Sequence, residues 1–223
     1  RLMAYSQPAT LADFFNTLPI QEVDFRLDRQ RQVNGLAGGE ILTADLAPAI
    51  WGGSMYLATM PKRRAAEVQA VLADLEAPGR SFEVTKPHQI GPASDPAGTL
   101  LAGASPTVAD VDGTNAHRLK LAGLPAGLAL VPGDFLSFTY DQGSGPRRAF
   151  HQVVQGRVAD AAGAQTEFMR VQPLVRPGAI TGGGTLTRPP MLAVLVPGSV
   201  SYGTTFGNTT SGMSFAFRQT LRP

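Results

Sequence analysis

The chain has 223 residues, a net charge of +2 from 19 basic and 17 acidic side chains, and no cysteine. This composition excludes disulfides and thiolate-bound metals, and the basic residues form no long run that would indicate nucleic-acid binding. The 25 glycines and 18 prolines stand between short apolar runs, a pattern typical of an all-β chain with many turns. No stretch of about 18 apolar residues occurs, so we expect no transmembrane helix.

Residues 11–31 combine a short helical pattern with a strand pattern. Leu11, Phe14, Phe15 and Leu18 have helical spacing, which predicts a helical turn or an arm lying on a neighbour. Ile20–Arg31 alternates in part and predicts a strand with charged residues on one face. That face could line a lumen, contact a neighbouring subunit or simply face solvent; its charged residues are Glu22, Asp24, Arg26 and Asp28, with Arg29 and Arg31.

Two weaker strand patterns come next. Asn34-Gly35 and Gly38-Gly39 are turn signals. We predict separate strands over Glu40–Leu46 and Trp51–Leu57. Trp51 is the sole tryptophan, and we expect it to anchor a core or an interface rather than to stack on a ligand.

Residues 61–76 carry the clearest helical pattern in the chain. Pro61 suits a first helical turn, and Pro78-Gly79 ends the pattern. Because a single face is apolar, we expect this helix to cover a sheet, and Ser81–Thr85 alternates as the next strand. The apolar face, at positions i, i+3, i+4 and i+7, consists of Val68, Val71, Leu72 and Leu75.

The middle of the chain predicts a small barrel. Lys86–Ser105 is rich in proline, glycine and alanine and reads as a connector. Several short strands then fit into about 70 residues, enough for a small closed barrel of OB-like type, and closure removes exposed strand edges. The predicted strands are His117–Leu121, Leu128–Val131, Phe135–Tyr140, Arg148–Val158 and Glu167–Val171.

The last strand patterns need a sheet to join. Met191–Val196 is an apolar run predicted to be buried on both faces, and Met213–Phe217 places three large apolar side chains on one face. The first part of the chain offers that sheet. We therefore predict one domain formed by residues 1–87 and 178–223, with residues 88–177 inserted as the barrel.

The sequence contains no recognisable catalytic, cofactor-binding or metal-binding constellation. His88, His117 and His151 have no ligand spacing, and we expect His151 to be a structural or surface histidine. A faint calcium-loop pattern around Gly113 lacks the bidentate glutamate. Its candidate ligands are Asp110, Asp112 and Asn115; Asp134 and Asp141 are expected to serve turns, and Asn208-Thr209-Thr210 is a weak glycosylation match.

Short motifs in a fixed order carry a resemblance to a known family. Trp51 with its strand precedes the helix Lys62–Leu75 and the strand Gly79–Val84. Four further segments read G-D-apolar-x-apolar, H-x-V, A-D-A-x-G and x-P-apolar-R. This order is similar to the distal tail and related baseplate proteins of long-tailed phages and phage-derived gene-transfer particles; the four segments are Pro132–Phe138, Phe150–Val154, Ala159–Ala164 and Val171–Arg176.

The resemblance implies a structural virion protein rather than an enzyme. Its fold would be mainly β, with a β-sandwich ring domain that carries one packed helix and an inserted OB-like barrel. It would form a homo-oligomeric ring, expected to hold six copies, at the tail tip after assembly in the host cytoplasm. The ring would join the tail tube protein to the baseplate hub protein, without membrane or specific nucleic-acid binding, although DNA could pass through the lumen. No catalytic residues carry over.

An alternative function is a carbohydrate-binding β module of a phage baseplate that contacts host surface glycans. This function needs an exposed aromatic platform. Tyr140, Phe150 and Tyr202 are the candidates, and each is more simply explained as a core residue.

Overall fold

The computed structural model describes residues 7–35 and 37–222. Within these ranges the protein is mainly β, with one α-helix, several sheets and one nearly closed barrel-like sheet, consistent with the predicted β-sandwich plus small barrel. The helix α1 is Lys62–Leu75, and a 3₁₀ turn is Phe15–Thr17. The strands are β1 Ile20–Gly35, β2 Ile41–Leu57, β3 Met60–Pro61, β4 Phe82–Val84, β5 Thr107–Val111, β6 Arg118–Ala122, β7 Ala129–Leu130, β8 Phe135–Asp141, β9 Pro146–Gln155, β10 Arg157–Val158, β11 Met169–Gln172, β12 Ala179–Ile180, β13 Met191–Leu195, β14 Ser201–Phe206 and β15 Thr209–Gln219.

Strands from early and late in the chain form the first sheet. Its order is β1-β2-β15-β13-β4, and β3 and β14 also pair with β15. The strand β15 therefore joins the sheet that the early strands begin, as the apolar face of Met213–Phe217 predicts. The side chains of Met213, Phe215 and Phe217 are all buried in this sheet's core.

The helix α1 lies where the sequence predicts it. Its Val68, Val71, Leu72 and Leu75 are buried, and they belong to the same core as β15. Pro61 is the N-cap residue, and Gly79 adopts a φ of +81°, a left-handed conformation that ends the pattern at little steric cost. One apolar face thus covers one face of the first sheet.

The predicted strands Glu40–Leu46 and Trp51–Leu57 are wrong as separate elements, because β2 runs unbroken for 17 residues. Its partner β1 has 16 residues, and the pairing resumes on both sides of the Pro48–Ala49 segment. The register shifts between Asp28 and Gln30 and again between Gln30 and Arg31, and in the observed register Pro48 has no paired residue. A bulge of this kind accommodates a residue that has no backbone N–H to donate.

The second sheet is closed by the chain that returns from it. Its strand order is β12-β8-β9-β11-β6-β5. Thr185 bridges to Ser137 of β8, with N···O distances of 2.7 and 3.0 Å, and the Gly184 N–H donates to the Pro106 carbonyl beside β5 at 2.6 Å. Residues 184 and 185 therefore lie between the two edges of the sheet and nearly complete a barrel.

Sheet pairing describes how the chain passes between the two sheets. Residues 107–180 supply the second sheet, and the chain returns to the first sheet at Met191. Residues 179–185 hydrogen-bond to β8, although they fall in the predicted range 178–223. The division into domains over 1–87 with 178–223, and 88–177, stays a prediction.

Several local elements differ from the sequence patterns. The sequence patterns do not predict the strands β5 and β14. The pattern of β14 is hidden because it lies in a stretch rich in glycine, threonine and serine. It forms a hairpin with β15 through Gly207-Asn208, where Gly207 has a φ of +59°. In β13, Leu192 and Val194 are only half-buried, so the expectation of burial on both faces was wrong.

Five aromatic side chains join the two sheets around Trp51. Its ring centroid lies 5.5 Å from that of Phe135 and 5.7 Å from that of Phe150, which belong to β8 and β9 of the second sheet. The Trp51 Nε1–H also donates to the Phe150 carbonyl at 3.2 Å. The predicted anchor role of Trp51 is confirmed: it holds the barrel-like sheet against the first core. The cluster comprises Phe25, Trp51, Phe135, Phe150 and Phe217.

Replacing Leu72 by alanine should destabilise the fold strongly. Leu72 is fully buried between α1 and the first sheet, and a cavity at such a site costs about 2–5 kcal/mol. Urea unfolding measures the effect. The exposed Arg63→Ala on the same helix is the control, with a change of less than about 0.5 kcal/mol. Equal effects of the two changes would contradict the burial of this face.

Replacing Trp51 by phenylalanine should weaken the contact between the two sheets. The change removes the Nε1–H donor to the Phe150 carbonyl and part of the aromatic packing, at a cost of about 1–3 kcal/mol in unfolding free energy. The half-exposed Tyr56 provides Tyr56→Phe as a matched aromatic control with little effect. Denaturant unfolding followed by circular dichroism compares them, and indistinguishable midpoints would contradict the anchor role.

Candidate assembly surface

The outer half of the β1–β2 hairpin stands away from the rest of the protein. We call residues 30–35 and 37–46 the hairpin arm. Every described residue of the arm is exposed, and six residues of extended chain span about 20 Å. At the base of the arm the ladder continues through Gln30 and Ala47, and Asp45 and Leu46 line a groove with His117 and Gln172. Beyond this base, no described residue outside the arm makes a side-chain hydrogen bond or ion pair with it; the neighbouring Arg29 bonds Gln172.

The hairpin arm carries large apolar side chains on both of its faces. In the observed register Val33 pairs with Thr43 and Asn34 pairs with Leu42. Side chains alternate along a strand, so Val33 and Ile41 share one face and Leu42 lies on the other. The exposed fraction is 60% for Val33, 70% for Ile41 and 54% for Leu42, and it is 67% for Leu46 near the base of the arm. A two-stranded arm of this kind is marginally stable without partners.

Free strand edges run along the same arm. Among the described residues, β1 pairs with β2 alone, and β15 pairs with β2 over Gly52 to Tyr56. The backbone edges of the arm are therefore open to pairing with another chain. Apolar faces and open edges together make the arm a candidate assembly surface.

Two of the three arginines on the predicted charged strand are paired with carboxylates. Arg26 binds Asp24 at 2.8 Å and Asp28 at 3.0 Å, and Arg31 binds Asp45 across the hairpin at 2.6 Å. Arg29 bonds the neutral Gln172 side chain at 3.3 Å, and Glu22 is exposed on the same strand. The positive charge of Arg26 and Arg31 is therefore offset by carboxylates within the same surface.

The predicted candidate ligands for calcium serve their own loop instead. Asp112 Oδ1 accepts bonds from the Thr114 amide and hydroxyl, which hold the pKa of Asp112 below its usual value. Asn115 Oδ1 accepts a bond from the His117 amide. Asp110 lies exposed on β5. Among the described residues, no three His, Cys, Asp or Glu side chains are grouped so that they could hold a metal ion.

Asp134 and Asp141 serve turns, as the sequence predicts. Asp134 accepts hydrogen bonds from the Ala93 and Val131 amides, each at 2.8 Å. Asp141 Oδ1 accepts from the Gly143 and Gly145 amides within the β8–β9 loop. Neither carboxylate is left free to act in chemistry.

The three aromatic candidates for a glycan platform are not brought together. Tyr140 and Phe150 are buried, which confirms the simpler core interpretation for both. The core interpretation is wrong for Tyr202, which is exposed on β14, where its hydroxyl donates to Glu76 at 2.7 Å. Phe206, which sequence reasoning did not single out, is 89% exposed beside the Gly207-Asn208 turn.

Sequence reasoning also missed the apolar residues of the hairpin arm. Val33, Ile41, Leu42 and Leu46 look like ordinary strand residues in the sequence. The length of the strand patterns could have indicated their exposure. Two long adjacent strand patterns joined by glycine-rich turns extend beyond the part of a sheet that neighbouring strands can cover. Asn208 of the glycosylation match lies exposed in its turn.

His151 is a structural histidine that packs against the core of the second sheet. It is buried, its Nδ1 lies 2.9 Å from the Pro173 carbonyl, and its ring stacks on Phe138 with centroids 5.3 Å apart. A carbonyl only accepts, so Nδ1 carries the proton. Burial lowers the pKa of His151 to about 4.

Comparison with protein-family models and with curated proteins gave no match. In the described part of the chain, no helix has both the length and the apolar character needed to cross a membrane. The functional argument therefore rests on the geometry of the hairpin arm and on the resemblance in motif order.

The buried His151 should make stability fall as the solution becomes acidic. The unfolded chain binds a proton on His151 below its ordinary pKa of 6.5, whereas the folded chain binds one only below about pH 4. The free energy of unfolding should therefore decrease by a total of about 3 kcal/mol as the pH falls from 6.5 to 4, because the folded chain keeps His151 neutral over this range. The difference in unfolding free energy between wild type and His151→Gln should change over this window; a constant difference would contradict the prediction.

Proposed function

We propose that this chain is a structural virion protein that assembles into a closed ring at the distal tip of a phage tail. The ring holds six copies and joins the tail tube to the baseplate hub. The chain acts by assembly and catalyses no reaction. The motif order around Trp51, α1 and the four short segments supports this assignment by resemblance.

The observation that carries the proposal is the hairpin arm. A hairpin with apolar side chains on both faces gains most when it is covered on both sides, and burial of each Leu or Ile contributes about 1.5–3 kcal/mol. A large exposed apolar surface marks a site of protein association. In a ring, the arm of one copy lies on the next copy in a heterologous contact that closes on itself.

The partly offset positive charge of β1 supports the same function. A lumen that passes DNA has to avoid multiple cationic contacts with phosphates, because each such contact adds affinity. Arg26 and Arg31 are already paired with carboxylates. A strand of this kind can line a passage without holding DNA in place.

The decisive measurement is a cryo-EM reconstruction of the intact tail tip. We expect six copies of this chain around the tail axis, with the hairpin arm of each copy buried against its neighbour. A single copy, or none, overturns the proposal. An isolated monomer in solution does not bear on it, because the ring can form on its tail partners.

A charge placed on the hairpin arm should block assembly without unfolding the protein. Ile41→Lys puts an ammonium group into the expected contact, and its desolvation opposes burial. We expect incorporation into particles to fall by at least about tenfold while the melting temperature stays unchanged. Val158→Lys is the matched control, because Val158 is 59% exposed on β10, outside the arm. Full incorporation of Ile41→Lys would remove the arm from the assembly contact.

A further inference from the structure

A cavity lies where the chain leaves the first sheet and returns to it. Its volume is about 480 Å³, within the size range of small-molecule sites. The segment after β4 forms one wall and Arg188, just before β13, stands opposite. The Arg188 amide donates to the Ile90 carbonyl at 2.6 Å and ties the two crossing segments together. Apolar walls come from Phe15, Leu18, Ile20, Pro87 and Ile90.

Basic side chains stand among the polar residues of the cavity lining. Lys86, His88 and Arg188 line it, and none of its described lining residues is acidic. Within the described residues, these three side chains form no ion pair. Lys86 Nζ lies 4.9 Å from the centroid of the Phe135 ring, and Arg188 Nη1 makes one long bond of 3.4 Å to Asn16. The guanidinium therefore keeps most of its donors free.

Two residues of the lining, His88 and Arg188, have unusual backbone conformations. His88 has a φ of +61° and Arg188 a φ of +44°, and these are the two non-glycine residues with positive φ in the described part of the chain. Arg188 also precedes Pro189, a position that disfavours helical-type conformations. Such strained conformations cluster at ligand clamps and active sites. Glycine would relieve this strain, yet both positions carry side chains with basic groups.

One buried donor in the lining has no partner. Thr85, at the end of β4, is 4% exposed, and its Oγ1 makes no hydrogen bond within the described residues. A planar guanidinium fork binds a carboxylate with two parallel bonds, and a nearby ammonium and hydroxyl add further donors. The apolar walls suit the hydrocarbon part of the same ligand.

We propose that this cavity is a binding site for a small organic carboxylate. The fork of Arg188 binds the carboxylate group, Lys86 supplies the second positive charge, and the apolar walls contact the ligand's body. The site belongs to a single copy of the chain, so it does not depend on ring formation.

NMR titration of the isolated full chain at pH 7.5 tests the site with benzoate as the probe. We expect saturable binding in the millimolar range, with shift changes confined to residues 85–90 and the surroundings of Arg188. Benzamide, which has a similar shape without the charge, should bind at least about tenfold more weakly, since charge-assisted bonds are the stronger ones. Inorganic phosphate tests whether any anion suffices.

Three variants separate binding from a purely structural role. Arg188→Gly relieves the left-handed backbone and removes the fork; benzoate affinity should fall at least about tenfold while the melting temperature stays equal or rises. Lys86→Gln leaves the backbone unchanged and should weaken binding severalfold. Arg170→Gln, at an exposed arginine on β11, is the control and should leave the affinity unchanged.

Three results would overturn the site. The first is no saturable binding of benzoate by the wild-type chain. The second is phosphate binding without benzoate binding, which would make the cavity a simple anion site. The third is benzoate affinity unchanged in both Arg188→Gly and Lys86→Gln. None of these results affects the ring, which is tested on particles rather than on the isolated chain.

Discussion

The packing of Trp51 against the second sheet is the contact on which the arrangement of this protein depends. Trp51 lies on β2, but two of its aromatic neighbours, Phe135 and Phe150, come from β8 and β9. Those two rings are buried in the core of the first sheet rather than in that of the barrel-like sheet. An ion pair between Arg148 of β9 and Glu83 of β4, at 3.5 Å, reinforces the same junction. The barrel-like sheet is thus fixed to the first sheet through side chains that both sheets supply.

This junction explains why the chain can leave a sheet and return to it without losing order. The two crossing segments are tied by the Arg188–Ile90 backbone bond, and the returning segment closes the barrel through Gly184 and Thr185. His88 and Arg188, which lie in these crossing segments, adopt left-handed conformations. The surrounding structure can hold such strain because both ends of the inserted segment are anchored in antiparallel ladders.

The hairpin arm, unlike the junction around Trp51, is not held by contacts from both sheets in the described part of the chain. Its base, at Asp45 and Leu46, shares a groove with His117 and Gln172. Beyond the base, its stability in isolation comes from its own ladder and from the Arg31–Asp45 pair, both of which are modest. A protein that keeps a long apolar arm exposed gains when the arm is covered. The body of the protein, by contrast, is held by two buried cores. A body with two buried cores and an exposed hairpin arm together suit a structural protein whose final contacts form during assembly.

Local patterns in the sequence determined the helix, most strands and the two turn-serving aspartates, because each depends on residues close together in the chain. The apolar spacing of Val68 to Leu75 requires one buried face, and the alternation of Met213 to Phe217 requires a sheet to join. The unbroken β2, the closure of the barrel by Thr185, the cationic cavity and the exposure of Ile41 were decided by tertiary structure. Each of these depends on residues distant in sequence: a partner strand long enough to carry Pro48 through a bulge, a returning segment that meets a sheet edge, and the lack, among the described residues, of a third strand along the hairpin arm. Periodicity shows which side of a strand is apolar, but the three-dimensional arrangement decides what covers it.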